Sequence, residues 1–209
     1  IVGAITLDGV EFSYRRFILS GIVAQALLFQ GFFEAGYGSF IRMYYQRIFQ
    51  AIAVTPITLS EVLWAELIWD ASKATFAASA VLLIGILIGD FRPLGALAAL
   101  PLCFVGALMF ASMGLWVAAK SRTIEEISYP QYLFVFPMFL FCGVFFPISS
   151  LPVYLQWFAR LLPLTPIVSL LRALTLGATF QVWDIPVVLV WLLAAAPLAR
   201  RAMSQRLIK

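Results

Sequence analysis

Histidine is absent from this 209-residue chain, and cysteine occurs only twice. Without histidine the commonest general base at neutral pH and the commonest metal ligand are both missing. An intramembrane enzyme would then need paired aspartates, and the only candidate pair is Asp70 and Asp90. Asp90 follows Gly89 and stands beside Arg92 and Pro93, as a loop residue does. Cys103 and Cys142 each fall inside an apolar run, where a thiol is a small hydrophobe with no disulfide framework to join. A phosphate-binding loop ending in Gly-Lys is missing too, since none of Lys73, Lys120 and Lys209 follows a glycine, so ATP is not bound by that motif. Charge itself is scarce, at 11% of residues against 63% hydrophobic, far from the roughly 25% charged residues of soluble domains.

What is present is a series of long apolar stretches. Leu94–Ala119 and Ile127–Ala159 contain no Asp, Glu, Lys or Arg. A hydrocarbon core about 30 Å thick takes roughly 20 apolar helical residues. Runs such as Val81–Ile88 do not alternate as barrel strands do, so the spans read as helices. The sequence predicts an all-α, polytopic helical membrane protein, a single transmembrane domain over residues 1–209. Its spans are expected near Phe17–Gly36, Val62–Gly89, Leu94–Ala119, Tyr132–Ile148 and Ile185–Ala199. Ile1–Leu7 is apolar but too short to cross and reads as the remnant of an earlier span, with Asp8–Arg16 as a polar loop. No secretory signal pattern is recognisable.

The formal charge of +4 is spread over loops and tail, without the Lys/Arg block of a nucleic-acid binder. One set of alternate loops carries Arg42, Arg47, Lys120, Arg122, Arg200, Arg201, Arg206 and Lys209, the other Arg15, Arg16, Arg92, Arg160 and Arg172. Positive residues favour the cytoplasm, which places the first set and the C-terminus inside.

Two connections are too long to be turns. In Tyr37–Ser60, Ser39 reads as an N-cap and Phe40–Gln50 as a basic, aromatic helix lying along the membrane. It stops at Thr55-Pro56, and Thr58 with Glu61 then writes a capping box for the next span. In Ser149–Trp183, Pro163 and Pro166 punctuate two short aromatic helices that end at Gly177, a hairpin dipping into the outer leaflet. Within the second span Glu66, Asp70 and Lys73 share nearly one helical face. Charge at that depth costs roughly 2.5 to 3.5 kcal/mol on insertion scales. These groups therefore pair structurally, with Asp70 neutralising Lys73, or else line a substrate path; Glu34 reads as interfacial. The aromatic run Tyr132–Phe141 reads either as packing or as a surface for sugar rings and acyl chains, and Pro137 and Gly143 permit a kink.

Two stretches carry a family resemblance: Val54-Thr55-Pro56-Ile57-Thr58 with Glu61, and Phe141–Pro152 continuing through Leu162-Pro163-Leu164 to Leu171-Arg172 and Leu176-Gly177. The chain resembles the membrane (permease) subunit of type-2 ABC exporters. Phe110–Gly114, Ala65-Glu66 through Trp69 to Lys73, and Cys142-Gly143 before Phe146-Pro147 look closest to the nodulation-factor export branch. The resemblance implies six spans in the intact subunit, with the first missing here and about five complete, and a homodimer in the bacterial inner membrane. It also implies a separate ABC ATP-binding subunit that holds ATP and Mg, so that this chain carries no cofactor, metal or catalytic residue. The implied cargo is an amphipathic one, a lipid-linked or lipo-oligosaccharide or polysaccharide; drug efflux by the same architecture and a passive channel or scaffold are the alternatives. Arg42, Tyr45, Gln46, Arg47, Thr55 and Pro56 are then expected to contact the ATPase, Glu66, Asp70 and Lys73 to line the path, and Pro147, Pro152, Arg160, Pro163, Arg172 and Gly177 to shape the outer hairpin. Many relatives carry acidic residues and a glycine where this chain has Arg42, Tyr44, Tyr45, Gln46 and Arg47.

Overall fold

The computed structural model describes residues 4–7, 10–53 and 55–207. Val54 of the expected Pro corner, most of the expected Ile1–Leu7 remnant's start and the tail charge Lys209 lie outside the described residues. The all-α expectation holds with one addition. Ala4–Leu7 (β1) pairs antiparallel with Val10–Ser13 (β2), Ala4 opposite Ser13 and Leu7 opposite Val10. Over the described residues this corrects the reading of Ile1–Leu7 as a span remnant and of Asp8–Arg16 as a loop, since Ala4–Leu7 and Val10–Ser13 are strands and Tyr14 opens a helix; Ile1 to Gly3, Asp8 and Gly9 lie outside the described residues. The overlooked signal was Asp8-Gly9 between apolar, β-branched residues, the dipeptide that a tight hairpin turn prefers.

Among the described residues four helices are long and apolar enough to cross a membrane. The first is a rod, Tyr14–Tyr44, made of α1 (Tyr14–Phe33), a π-helical turn (Glu34–Gly38) and α2 (Ser39–Tyr44). Ser39 therefore does not cap a separate interfacial helix. It has helical dihedrals and is buried inside the rod. The expected coupling helix shrinks to α3 (Ile48–Ala53), reached through a corner where Arg47 takes φ 52. A non-glycine residue in that left-handed region stores roughly 1–2 kcal/mol of strain. The Thr58–Glu61 capping box is present and opens α4 (Leu59–Leu87). Pro93 occupies the first turn of α5 (Pro93–Lys120), where its missing N–H costs nothing.

The expected span Tyr132–Ile148 is corrected most. After a short 3-10 turn (Glu125–Ile127), α6 (Ser128–Pro130), a second π turn (Gln131–Val135) and α7 (Phe136–Phe141) run together over residues 128–141. That is roughly 21 Å of helix at 1.5 Å per residue, short of the bilayer core, and it stops where Gly143 takes φ 85. The outer hairpin is a corner rather than two antiparallel arms: α8 (Val153–Leu161) and α9 (Leu164–Leu176) meet at 86°. Gly177 closes α9 in the left-handed conformation expected of a terminal glycine. α10 (Asp184–Leu207) completes the chain.

α1, α4 and α5 pack on one another, α10 lies along α5, and α9 wedges against α1 and α5. Side chains that bury completely include Phe17, Leu27, Phe110, Leu115, Ile167 and Leu171. Small residues set how closely the backbones approach. A Cβ on Gly114 would strike the Phe32 carbonyl oxygen and sit 3.0 Å from the Gly36 nitrogen. At one end of the bundle, called here the Asp90 end, Asp90 accepts from Arg15 Nη2 at 2.8 Å and Arg16 Nε at 3.2 Å, tying the start of α1 to the α4–α5 turn. Burial by itself would push this carboxyl up, but hydrogen bonds and charge from Arg15 and Arg16 outweigh it and hold Asp90 below the ordinary carboxylate range.

Gly114→Leu is expected to lower stability by about 1–3 kcal/mol through overpacking, read as a drop in the thermal unfolding midpoint in detergent. Because the folded-state pKa of Asp90 is depressed, its stabilisation is complete above the ordinary carboxylate value and is lost as pH falls through the folded value. The midpoint of the wild-type chain should therefore fall on acidification below that range, and Asp90→Asn should flatten this acid limb.

Candidate functional site

The opposite end of the bundle gathers the ionisable side chains that a membrane solvates worst. The π turn rotates Glu34 onto the face that α2 presents to α4, and the 3.6-residue period puts Glu66, Asp70 and Lys73 on the facing side of α4. Arg42 lies among the three carboxylates. Its Nε donates to Glu66 Oε1 at 2.7 Å, its Nη2 to Asp70 Oδ1 at 3.3 Å and its Nη1 to Glu34 Oε1 at 3.4 Å. Ser39 Oγ adds a donor to Glu66 Oε1 at 2.7 Å. Lys73 pairs closely with Glu34 and more loosely, at 3.9 Å, with Asp70. Asp70 is fully buried, and its Oδ2 has no hydrogen-bond partner among the described residues.

The sequence-based trio Glu66, Asp70 and Lys73 is thus brought together, but Lys73 prefers Glu34 to Asp70. Arg42, assigned to the ATPase contact from sequence, sits instead in this half-buried cluster and joins the rod to α4. Its place there follows from the rod continuing through Ser39 rather than breaking. Glu34 and Ser39 were missed. The available signal was Glu34 and Arg42 two turns apart in one direction, opposite an acid-acid-base series at helical spacing in the other.

A second polar link runs from the first π turn to the other one: Tyr37 Oη donates to Gln131 Oε1 at 2.8 Å and lies 3.1 Å from Ser128 Oγ. π turns are rare and frequent at functional sites, and here two of them meet. On the open face of α4, Lys73 lies over the Trp69 ring at 5.2 Å beside a recess of about 530 Å³ lined by Gln30, Trp69, Ser72, Lys73, Phe76 and Ala77.

Directly beyond the cluster the chain leaves the bundle. Tyr45, Gln46, Arg47, Thr55 and Pro56 are all exposed on this connection, around α3. Thr55 Oγ1 donates to the Ile52 carbonyl at 2.6 Å and closes α3 just before the capped start of α4. Any force on these residues reaches both the rod and α4 within a few residues. On the same end Arg206 of α10 reaches the carbonyls of Ala118, Ala119 and Ser121, satisfying acceptors that the end of α5 leaves open.

At the Asp90 end the hairpin residues separate. Pro152 caps α8, Arg160 is exposed over the Trp157 ring at 5.7 Å, and Pro147 begins the turn into α8. Pro163 is buried at the corner before α9. Arg172 is not a loop charge at all, which corrects its place in the topology tally. It is 7% exposed and lies 3.7 Å over the Phe17 ring. Its guanidinium donates to Ser20 Oγ at 3.2 Å and to the Gly143 carbonyl at 2.8 Å. It thereby satisfies backbone that the early stop of α7 would otherwise leave unpaired inside the bundle.

A profile of the ABC-2 type transporter membrane family matches residues 2–176. The chain belongs to the ABC-2 type transporter family. It is 32% identical over 204 residues to Nodulation protein J of Rhizobium leguminosarum bv. viciae, covering 94% of this chain and 78% of that protein. It is 33% identical over 172 residues to Nodulation protein J of Rhizobium meliloti (strain 1021), covering 82% of this chain and 65% of that protein. Inner membrane transport permease YadH of Escherichia coli (strain K12) is 22% identical over 188 residues, 90% of this chain and 72% of that permease. The matched part thus spans between 65% and 78% of these relatives. The expected resemblance to the nodulation branch is confirmed, and the ABC-2 chain is a multi-pass membrane permease domain.

Because Arg42 is shared by three carboxylates, removing it strands them. Arg42→Met is expected to cost about 3–5 kcal/mol, as for a broken buried ion pair. Asp70→Asn, which removes the acid in excess, should change stability by under about 1 kcal/mol. Paired thermal unfolding measurements in one detergent check both, and equal losses would contradict the assignment of Arg42 as the hub.

Proposed function

We propose that this chain is the permease subunit of an ATP-driven exporter that moves an amphipathic, lipid-modified oligosaccharide outward across the bacterial inner membrane. Two copies enclose the path, and each docks a separate ATP-binding subunit that carries ATP and Mg. The C-terminus lies in the cytoplasm with the Arg42 end. Arg47, Lys120, Arg122, Arg200, Arg201 and Arg206 all collect at that end, in keeping with the positive-inside rule. Moving Arg42 and Arg172 off the two loop tallies leaves the bias in the same direction.

One observation supports this reading above the others: the connection that exposes Tyr45, Gln46, Arg47, Thr55 and Pro56 leads on either side into helices locked together by Arg42. The ATP-binding partner presses on α3 and its flanks when it closes. Because Glu34, Glu66 and Asp70 share one guanidinium, the end of the rod and the start of α4 move as one body rather than sliding apart. That displacement opens the Trp69–Phe76 face of α4, where Lys73 offers a cation and the rings offer stacking surface to a sugar bearing an apolar chain. A passive channel has no use for such a link. The branch resemblance supports the oligosaccharide class.

Co-expression with the ATP-binding subunit should yield a complex whose ATP hydrolysis is stimulated by this chain in lipid. Thr55→Trp and Arg47→Glu, both exposed, should leave the chain folded yet reduce export and stimulation about 5-fold or more, the lower end of a coupling free energy between two sites. A chain that binds no ATP-binding subunit, or variants that export as the wild type does, would contradict the reading.

A further inference from the structure

At the Asp90 end a pocket of about 210 Å³ opens between the α7–α8 turn, α9 and the start of α10, and Arg160, Arg172, Ser169 and Asp184 all line it. We infer that this pocket binds the phosphate of a phospholipid headgroup.

The argument begins with Arg172. A guanidinium this deeply buried normally meets a carboxylate, because an uncompensated charge away from water is costly. Among the described residues Arg172 has no acidic partner within 4.0 Å; its partners there are a hydroxyl, three backbone carbonyls and the face of Phe17. Nε and Nη2 make all of those bonds, so among the described residues no acceptor meets Nη1, on a side chain that lines the pocket. The planar fork of arginine matches phosphate oxygens geometrically. Arg160 on the same wall adds a second cation. Asp184, held by the Ser169 hydroxyl at 2.6 Å and the Gln181 amide at 3.1 Å, supplies an acceptor for an ammonium or hydroxyl further along a headgroup.

Surroundings decide between a lipid and a soluble anion. The pocket is bordered by α8, whose Trp157 is 65% exposed and whose Tyr154 and Phe158 are exposed as well, and by Trp183, 78% exposed, just before α10. Exposed tryptophan and tyrosine at the end of an apolar bundle mark the headgroup layer. An anion arriving there on acyl chains meets apolar surface on both sides of the pocket, which a free phosphate could not use. The inference does not depend on ATP-driven export, because a headgroup would be held whatever the bundle transports.

The test reconstitutes the purified full chain into vesicles of phosphatidylethanolamine with phosphatidylglycerol, or into vesicles of a phosphate-free galactosyl diacylglycerol. The chain is then re-extracted in mild detergent and retained lipid is counted by native mass spectrometry. Wild-type chain should keep a phospholipid but not the glycolipid, and saturating inorganic phosphate should fail to displace it. Arg172→Gln should lower occupancy about tenfold or more, the loss expected for a charged hydrogen bond. Should that variant not fold, Ser149→Trp, which blocks the exposed rim without touching Arg172, and Arg160→Gln carry the same expectation. Equal retention of both lipids, or undiminished retention in Ser149→Trp and Arg160→Gln, would overturn the proposal. Displacement by inorganic phosphate would assign the pocket to a soluble anion and overturn the lipid assignment.

Discussion

Glu34, Glu66, Asp70, Arg42 and Lys73 sit where hydrocarbon cannot solvate them, and the rest of the architecture follows from the need for these five groups to satisfy one another. α4 could not carry its charges alone at that depth, since Glu66 and Asp70 outnumber Lys73 and the balancing cation, Arg42, comes from the rod. The requirement fixes the rotation of the rod about its axis, the register of α4 beside it, and the use of a π turn to bring Glu34 onto the shared face. It also explains why Ser39 is a serine inside a helix, since its hydroxyl spends its donor on Glu66.

The same rule governs the other end in a different form. There the unsatisfied groups are backbone carbonyls exposed when residues 128–141 stop short of a full crossing, and the remedy is one buried arginine from α9. The left-handed Gly143 and the backbone after α7 can lie within the apolar zone because Arg172 completes their hydrogen bonding, and the right-angle corner because Thr165 and Trp191 donate to the Ala159 and Leu161 carbonyls. Each end of the bundle thus has an arginine hub. Arg42 joins elements adjacent to the proposed partner contact, and Arg172 joins α1, the α7 turn and α9.

Much of this was legible in the residues. Lengths of apolar run located α4, α5 and α10 to within a few positions, apart from the extension of α10 beyond Ala199, and the Thr58–Glu61 box fixed the start of α4 to the residue. The acid-acid-base series on α4 was visible as a face. What could not be read was which helix supplies its partners, because periodicity describes one helix at a time and the pairing of Arg42 with Glu66 depends on how two helices cross. Ser39 was misread for a local reason: serine ahead of a basic, aromatic stretch is an ordinary cap, and only the buried carboxylate across the interface makes the helical conformation preferable. The π turns leave no mark in composition. Arg172 looked like a loop charge because Pro163, Pro166 and Gly177 bracket it, and a core position for α9 became evident only through its contacts with α1 and α5.

The account as a whole requires the Arg42 end to face the cytoplasm and the Trp157 end to face outward. Single cysteines at Gln46 and at Trp157 decide this in intact cells with a membrane-impermeant maleimide, against a background kept low by the complete burial of Cys103 and Cys142. The prediction is rapid labelling at position 157 and labelling at position 46 only after the membrane is permeabilised. Labelling of position 46 in intact cells would contradict the placement of the coupling connection and, with it, the exporter reading.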